Sequence, residues 1–162
     1  MYKKPYLFME KKMRLQRTLV LFGAIFVLFQ MITGGSLFYL KYGFSISEIV
    51  HFFQGNEAEF IMPKSVEGML KTTLPHIVAI TMVGIFLIHI LDCEKKYRAI
   101  IASLFFTGMI FDLLGGYLIL IHSVFAWIKF VGFLFLEVGV LAAILLIFYS
   151  ISNPSYKERS YR

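Results

Sequence analysis

The sequence predicts an all-α integral membrane protein, an up-down four-helix bundle with a helical periplasmic loop between spans one and two. Of its 162 residues, 59% are hydrophobic and 16% are charged, whereas soluble domains average roughly 25% charged residues. Apolar residues also gather into long runs. The clearest is 74–91, which as a helix measures about 27 Å, close to the thickness of a bilayer's hydrocarbon core. We expect one membrane domain over residues 1–162.

Span one follows a basic N-terminal segment and has Gln30 and Thr33 near its middle, directly before the glycine pair Gly34 and Gly35. Small residues at such a position allow another helix to approach closely. Short connections join the last three spans, which favours antiparallel neighbours in a bundle. The predicted spans are residues 18–42, 74–92, 99–122 and 125–151.

The substantial loop between spans one and two, residues 43–73, is expected to be helical in part. Ser45 and Glu48 form a capping-box pattern, and Gly55 would end the helix that follows. Ser65 is a further cap candidate, and Pro75 would lie in the first turn of span two. Four apolar residues at helical spacing predict an amphipathic helix on the membrane surface: Ile46, Ile49, Val50 and Phe53.

The distribution of basic residues predicts both termini on the cytoplasmic side of a bacterial inner membrane. Twelve of the sixteen Lys and Arg residues fall in the N-terminal segment, the 93–98 connection and the C-terminal tail, as the positive-inside rule requires. Because these residues flank apolar spans, the net charge of +6 indicates topology rather than a nucleic-acid surface. The single Cys93 excludes an internal disulfide and a cysteine-only metal cluster. The other four basic residues, which this topology places on the periplasmic side, are Lys41, Lys64, Lys71 and Lys129.

Histidines are the first candidates for chemistry. With this topology His76, His122 and His51 all belong to the periplasmic end, whereas His89 lies near the cytoplasmic end of span two. Two imidazoles on neighbouring helices can hold the iron of a b-type haem from opposite faces. His76 and His122 are the predicted metal ligands, with His51 as the substitute partner. The alternative is that these are interfacial histidines whose rings reach water or headgroups.

Asp112 in span three and Glu137 in span four are the intramembrane acids. A carboxyl in that position is protonated, paired or turned toward a hydrated cavity. One hypothesis is a proton path or a metal ligand. The other, which we favour, is a neutral acid hydrogen-bonded across the bundle, with Gln30, Thr33 or Thr107 as the partner.

Span one resembles the first helix of the quinol-oxidising cytochromes b through Gln30, Thr33, Gly34 and Leu37. Span two then carries two histidines, as the second helix of that family does, and the resemblance implies that His76 and His89 correspond to haem ligands. Looser similarities follow at Gly115, Gly116 and Tyr117, at residues 130–133 and at Ala142 and Ala143.

The sequence departs from that family in span four. Leu134 and Phe148 occupy the positions where the family has its opposite ligands, so a two-haem core of that type is not expected. The loop and the region of His76 also resemble a group of small uncharacterised four-span proteobacterial membrane proteins, which implies no mechanism.

The leading functional hypothesis is a small haem b protein or subunit that transfers electrons between quinol and a periplasmic or membrane partner. Such a carrier need not be an enzyme by itself. A different class of function is a cofactor-free accessory or assembly subunit that packs through its glycines and aromatics. A proton-coupled carrier that uses Asp112 and Glu137 is the third hypothesis, although the sequence shows no inverted repeat.

Overall fold

The computed structural model describes residues 5–91 and 93–152, with side chains from Arg17 onward. Several positions used in the prediction lie outside the described residues, namely the basic residues Lys3 and Lys4, the predicted span end at Asp92, and the tail 153–162.

The described residues form five α-helices: α1 (Pro5–Tyr42), α2 (Ile46–Gln54), α3 (Val66–Ile90), α4 (Lys95–Leu118) and α5 (Ala126–Ser152). Two single 3₁₀ turns lie in the connections, and no strand occurs within the described ranges. All except α2 are long and apolar enough to cross a bilayer, over Arg17–Tyr42, Val66–Ile90, Lys95–Leu118 and Ser123–Ser152. The predicted membrane four-helix bundle with an additional loop helix is confirmed.

Helix α3 begins at Val66 rather than at residue 74, because Ser65 caps it. The Ser65 hydroxyl oxygen accepts a hydrogen bond from the Gly68 N–H at 3.1 Å, and Glu67 lies in the first turn, where a carboxylate complements the helix dipole. Pro75 is therefore inside the helix, and its predicted place in the first turn is wrong. Helices in membranes tolerate such a proline because neighbouring groups satisfy the freed carbonyl.

Helix α2 lies across one end of the bundle, which we call the α2 end. Its apolar residues Ile49 and Phe53 are buried, and Gly55, with a φ of 85°, ends it as predicted. Ser45 occupies the N-cap position but makes no capping bond, because its hydroxyl pairs with that of Ser47 at 2.7 Å. The Gln54 amide donates to the Ile119 carbonyl at 2.6 Å, which ties α2 to the connection between α4 and α5.

Helices α4 and α5 form the most extensive pair in the bundle, and glycines lie all along their contact. A Cβ atom built on these glycines would press against the backbone of the opposite helix, so the two axes approach closely there. In each facing pair the two residues are equally far from His122 along the chain, as expected of an antiparallel hairpin. The pairs are Gly108 with Leu136, Gly115 with Lys129, Gly132 with Asp112, and Gly139 with Phe105.

Two apolar clusters fill the interior, one toward each end. The cluster at the α2 end is aromatic, and the rings of Phe38 and Phe133 stack there with centroids 3.8 Å apart. The other cluster lies toward the 93–98 connection and includes Leu87, Phe105 and Ile144.

Candidate intramembrane polar site

Asp112 and Lys129 form an ion pair between α4 and α5. The Lys129 Nζ donates to Asp112 Oδ1 at 2.6 Å and also lies 5.5 Å from the centroid of the Phe53 ring. The lysine is 9% exposed. Since a buried charge without a counter-ion is very costly, each residue accounts for the presence of the other.

This pair corrects two expectations from the sequence. Asp112 was expected, as a neutral acid, to bond with Gln30, Thr33 or Thr107, and Lys129 was counted among the basic residues on the periplasmic side, although it falls within the predicted span 125–151. Instead Lys129 is buried on α5, three residues beyond its start, and the Thr33 hydroxyl donates to the Phe29 carbonyl of its own helix at 2.8 Å. One signal was available in the sequence: a lysine inside an apolar run, seven residues after His122, where Asp112 is ten residues before it. In an antiparallel hairpin the two residues are then about one helical turn out of register, which a long lysine side chain can span.

Glu137 lies at the midpoint of the span Ser123–Ser152 and faces α1. A Cβ atom on Gly34 would be 3.7 Å from its Oε1. The half-buried carboxyl lines a groove of about 710 Å³ between α1 and α5. Within the described part of the chain the carboxyl group of Glu137 has no hydrogen bond or ion pair. The groove is lined by Met31, Ile32, Gly35, Ser36, Tyr39, Leu40, Phe44, Phe133, Leu134 and Glu137.

Gln30 and Thr33 lie on one exposed face of α1. Their spacing with Gly34 and Leu37, at i, i+3, i+4 and i+7, places all four on the same side of the helix, and all four are exposed. Gln30 is also at the midpoint of its span, and its side-chain amide makes no hydrogen bond with any other described residue. An exposed amide at that depth has only lipid or another protein for a neighbour.

The histidines do not meet in one cluster within the described residues, where no group of three or more His, Cys, Asp or Glu side chains could hold a metal ion. His76 is exposed on α3, and His89 is exposed near the end of the same helix. His51 is half-buried on α2. His122 is exposed in the connection that precedes α5, where it caps a 3₁₀ turn.

The hydrogen bonds of His76 and His122 bear on the predicted haem. His76 Nδ1 lies 2.7 Å from the Thr72 carbonyl, so Nδ1 carries the proton and Nε2 keeps a free lone pair, as an axial ligand requires. His122 Nδ1 accepts the Val124 N–H at 3.2 Å, which leaves the proton of the neutral ring on Nε2. His76 therefore fits an axial ligand, whereas His122 does not fit one in this conformation.

A family model of a transmembrane helical domain, Aq_1264_TM, matches residues 43–158. The match covers α2 to α5 and therefore includes Glu137, the Asp112–Lys129 pair and all four histidines. Comparisons with curated proteins and with solved structures find no significant match.

Proposed function

Because the chain belongs to the Aq_1264_TM family of transmembrane helical domains, we propose that it acts within the bilayer as a cofactor-free subunit of a membrane complex. In this proposal the exposed face of α1 that holds Gln30, Thr33 and Gly34 binds a transmembrane helix of a partner. The single observation that supports the proposal most directly is Gln30, an exposed amide at mid-span with no partner among the described residues.

The physical argument starts from the cost of that amide in lipid. A side-chain amide has two donors and one acceptor group, and hydrocarbon satisfies none of them. A hydrogen bond between helices in a membrane contributes about 1 kcal/mol, and small residues beside it let the two backbones approach. Gly34, one turn after Gln30 on the same face, would provide that space.

Exposed apolar side chains on the same face of α1 add to this support. Phe26, four residues before Gln30, and Leu37, seven residues after it, are 72% and 51% exposed. A partner helix would cover these residues together with Gln30.

The experiment compares proteins that co-purify with tagged chains from native membranes in a mild detergent. We expect Gln30→Leu to lose membrane proteins that the wild type retains, because the amide bond is gone while the apolar surface is kept. The matched control is Ser103→Leu, which replaces another exposed polar residue, on α4, and should retain them. The proposal would be contradicted if the same proteins co-purified with the wild type and both variants. It would also be contradicted if no other membrane protein co-purified with the wild type.

We keep the haem b protein that transfers electrons between quinol and a periplasmic or membrane partner as a second candidate. What favours it is the free Nε2 of His76. A low-spin Soret band in the purified wild type should be lost in His76→Ala and retained in His89→Ala. Loss in His122→Ala as well would identify that residue as the second ligand, after release from its bond with Val124. A wild-type protein that shows no haem spectrum even after incubation with haem would contradict this candidate.

A further inference from the structure

The carboxyl of Glu137 is the one acid of the described spans that faces a groove instead of a counter-ion. Asp112, the other acid well inside the spans, has an oxygen 2.6 Å from Lys129 Nζ. The residues that line the groove beside Glu137 include Ser36 and Tyr39 from α1 but no lysine, arginine or histidine. Tyr39 is thus the only other titratable group of the lining.

Geometry explains how a carboxyl is accommodated at this position. The glycine pair of α1 lies opposite, and even a Cβ atom on Gly34 would be in ordinary contact with Glu137 Oε1, at 3.7 Å, so the oxygen has room between the two helices. On the other side the groove opens to the exterior of the bundle at mid-span. Phe133 and Leu134 of α5 and Met31 and Ile32 of α1 make the surroundings apolar.

We propose that Glu137 is a proton-binding site that opens to the lipid phase through the α1–α5 groove. An ionised carboxylate at the centre of a bilayer requires a cation or several donors, and the groove lining has neither a cation nor a set of convergent N–H groups. The neutral acid needs only a modest polar contact. The ligand of the site is a proton, one for each chain.

The proposal has a direct chemical consequence, namely reaction with a hydrophobic carbodiimide from the lipid phase. The carboxyl oxygen bonds to the central carbon of the reagent while the acid proton moves to a reagent nitrogen. The adduct then rearranges to an N-acylurea with no leaving group, so the peptide gains the whole mass of the reagent. The reaction needs the protonated acid and a path for an apolar molecule, and the groove would provide both.

The experiment treats the full-length protein in phosphatidylcholine vesicles with dicyclohexylcarbodiimide and maps adducts by mass spectrometry of peptides. We expect labelling at Glu137 to exceed labelling at Asp112 in the same sample by about tenfold or more, because Asp112 Oδ1 is engaged by Lys129 at 2.6 Å and Asp112 does not line the groove. Labelling of Glu137 should fall as the pH of the reaction is raised. A water-soluble carbodiimide should label Glu137 much less than the hydrophobic reagent does.

A variant provides a second readout that leaves the carboxyl in place. Gly35→Leu adds a side chain to the groove at a position with free space around it, so we expect an intact fold and a several-fold loss of labelling at Glu137. Ser103→Leu, on the α4 surface, should label like the wild type.

Equal labelling of Asp112 and Glu137, or no adduct at Glu137 at any pH, would overturn the proposal. Equal reaction with the water-soluble reagent would overturn the lipid-phase access. Because the assay needs no partner protein, its outcome is independent of whether α1 binds another helix.

Discussion

Lys129 is buried near the start of α5, against Asp112 and beside the ring of Phe53. Its Nζ also lies 3.4 Å from the Asp112 carbonyl oxygen. These contacts join α2, α4 and α5 at one point, so the ion pair fixes how the helices meet at the α2 end.

At this scale we predict that Asp112→Asn destabilises the protein, by about 3 kcal/mol, because it leaves the Lys129 charge buried without a counter-ion. The double variant Asp112→Leu with Lys129→Met removes both charges and should recover most of the loss. Unfolding in detergent, followed by circular dichroism, measures both. An Asp112→Asn variant as stable as the wild type would show that the pair is not required.

The α4–α5 hairpin is the best-packed element, and its glycines explain why. Gly108 and Gly115 are seven residues apart on α4, and Gly132 and Gly139 are seven apart on α5. A seven-residue repeat keeps one seam of each helix facing its neighbour at a small crossing angle. This repeat is visible in the sequence, but the close helix contact predicted above was placed at Gly34 and Gly35 instead.

A pair of matched substitutions tests this packing. In Gly132→Ala the new methyl group would meet the backbone nitrogen of Asp112, so we expect a loss of about 2 kcal/mol from overpacking. In Gly35→Ala the methyl group meets nothing within 4 Å. That variant should be neutral, or up to about 1 kcal/mol more stable because alanine favours the helix. Thermal unfolding in the same detergent compares them, and equal effects would argue against close packing of α4 on α5.

Orientation in the membrane is a property of the whole molecule, and the structure changes the count of basic residues on which the predicted orientation depends. Since Lys129 is buried in an ion pair, it no longer counts among the charges on the predicted periplasmic side, where Lys41, Lys64 and Lys71 remain. The Lys64 and Lys41 amines also lie near the Phe52 ring, at 4.7 and 5.6 Å from its centroid. The predicted excess of basic residues at the other end therefore becomes larger.

We expect reporter fusions after Ser152 to be active in the cytoplasm and reporters inserted near Asn56 to be active in the periplasm, since the positive-inside rule weighs basic residues near the span ends. Paired alkaline phosphatase and fluorescent-protein fusions measure this. The reverse pattern would place α2 and the loop that follows it in the cytoplasm.

The sequence by itself determined the properties that depend on neighbours along the chain. Hydropathy located the spans, the amphipathic spacing with Gly55 located α2, and Ser65 was recognised as a cap candidate. The span beginning at residue 74 was the main error of this kind, because the polar first turns of α3 resemble a loop in composition even though they are helical.

The tertiary structure decided what depends on which helices are adjacent and how each is rotated. It paired Asp112 with Lys129, left Glu137 facing a groove and turned Gln30 to the exterior. It also set opposite tautomers on His76 and His122. Hydropathy does not encode these outcomes, because a membrane helix that is apolar on all sides has no strong amphipathic face to fix its rotation. Close contacts between small residues and pairing of polar groups fix it instead.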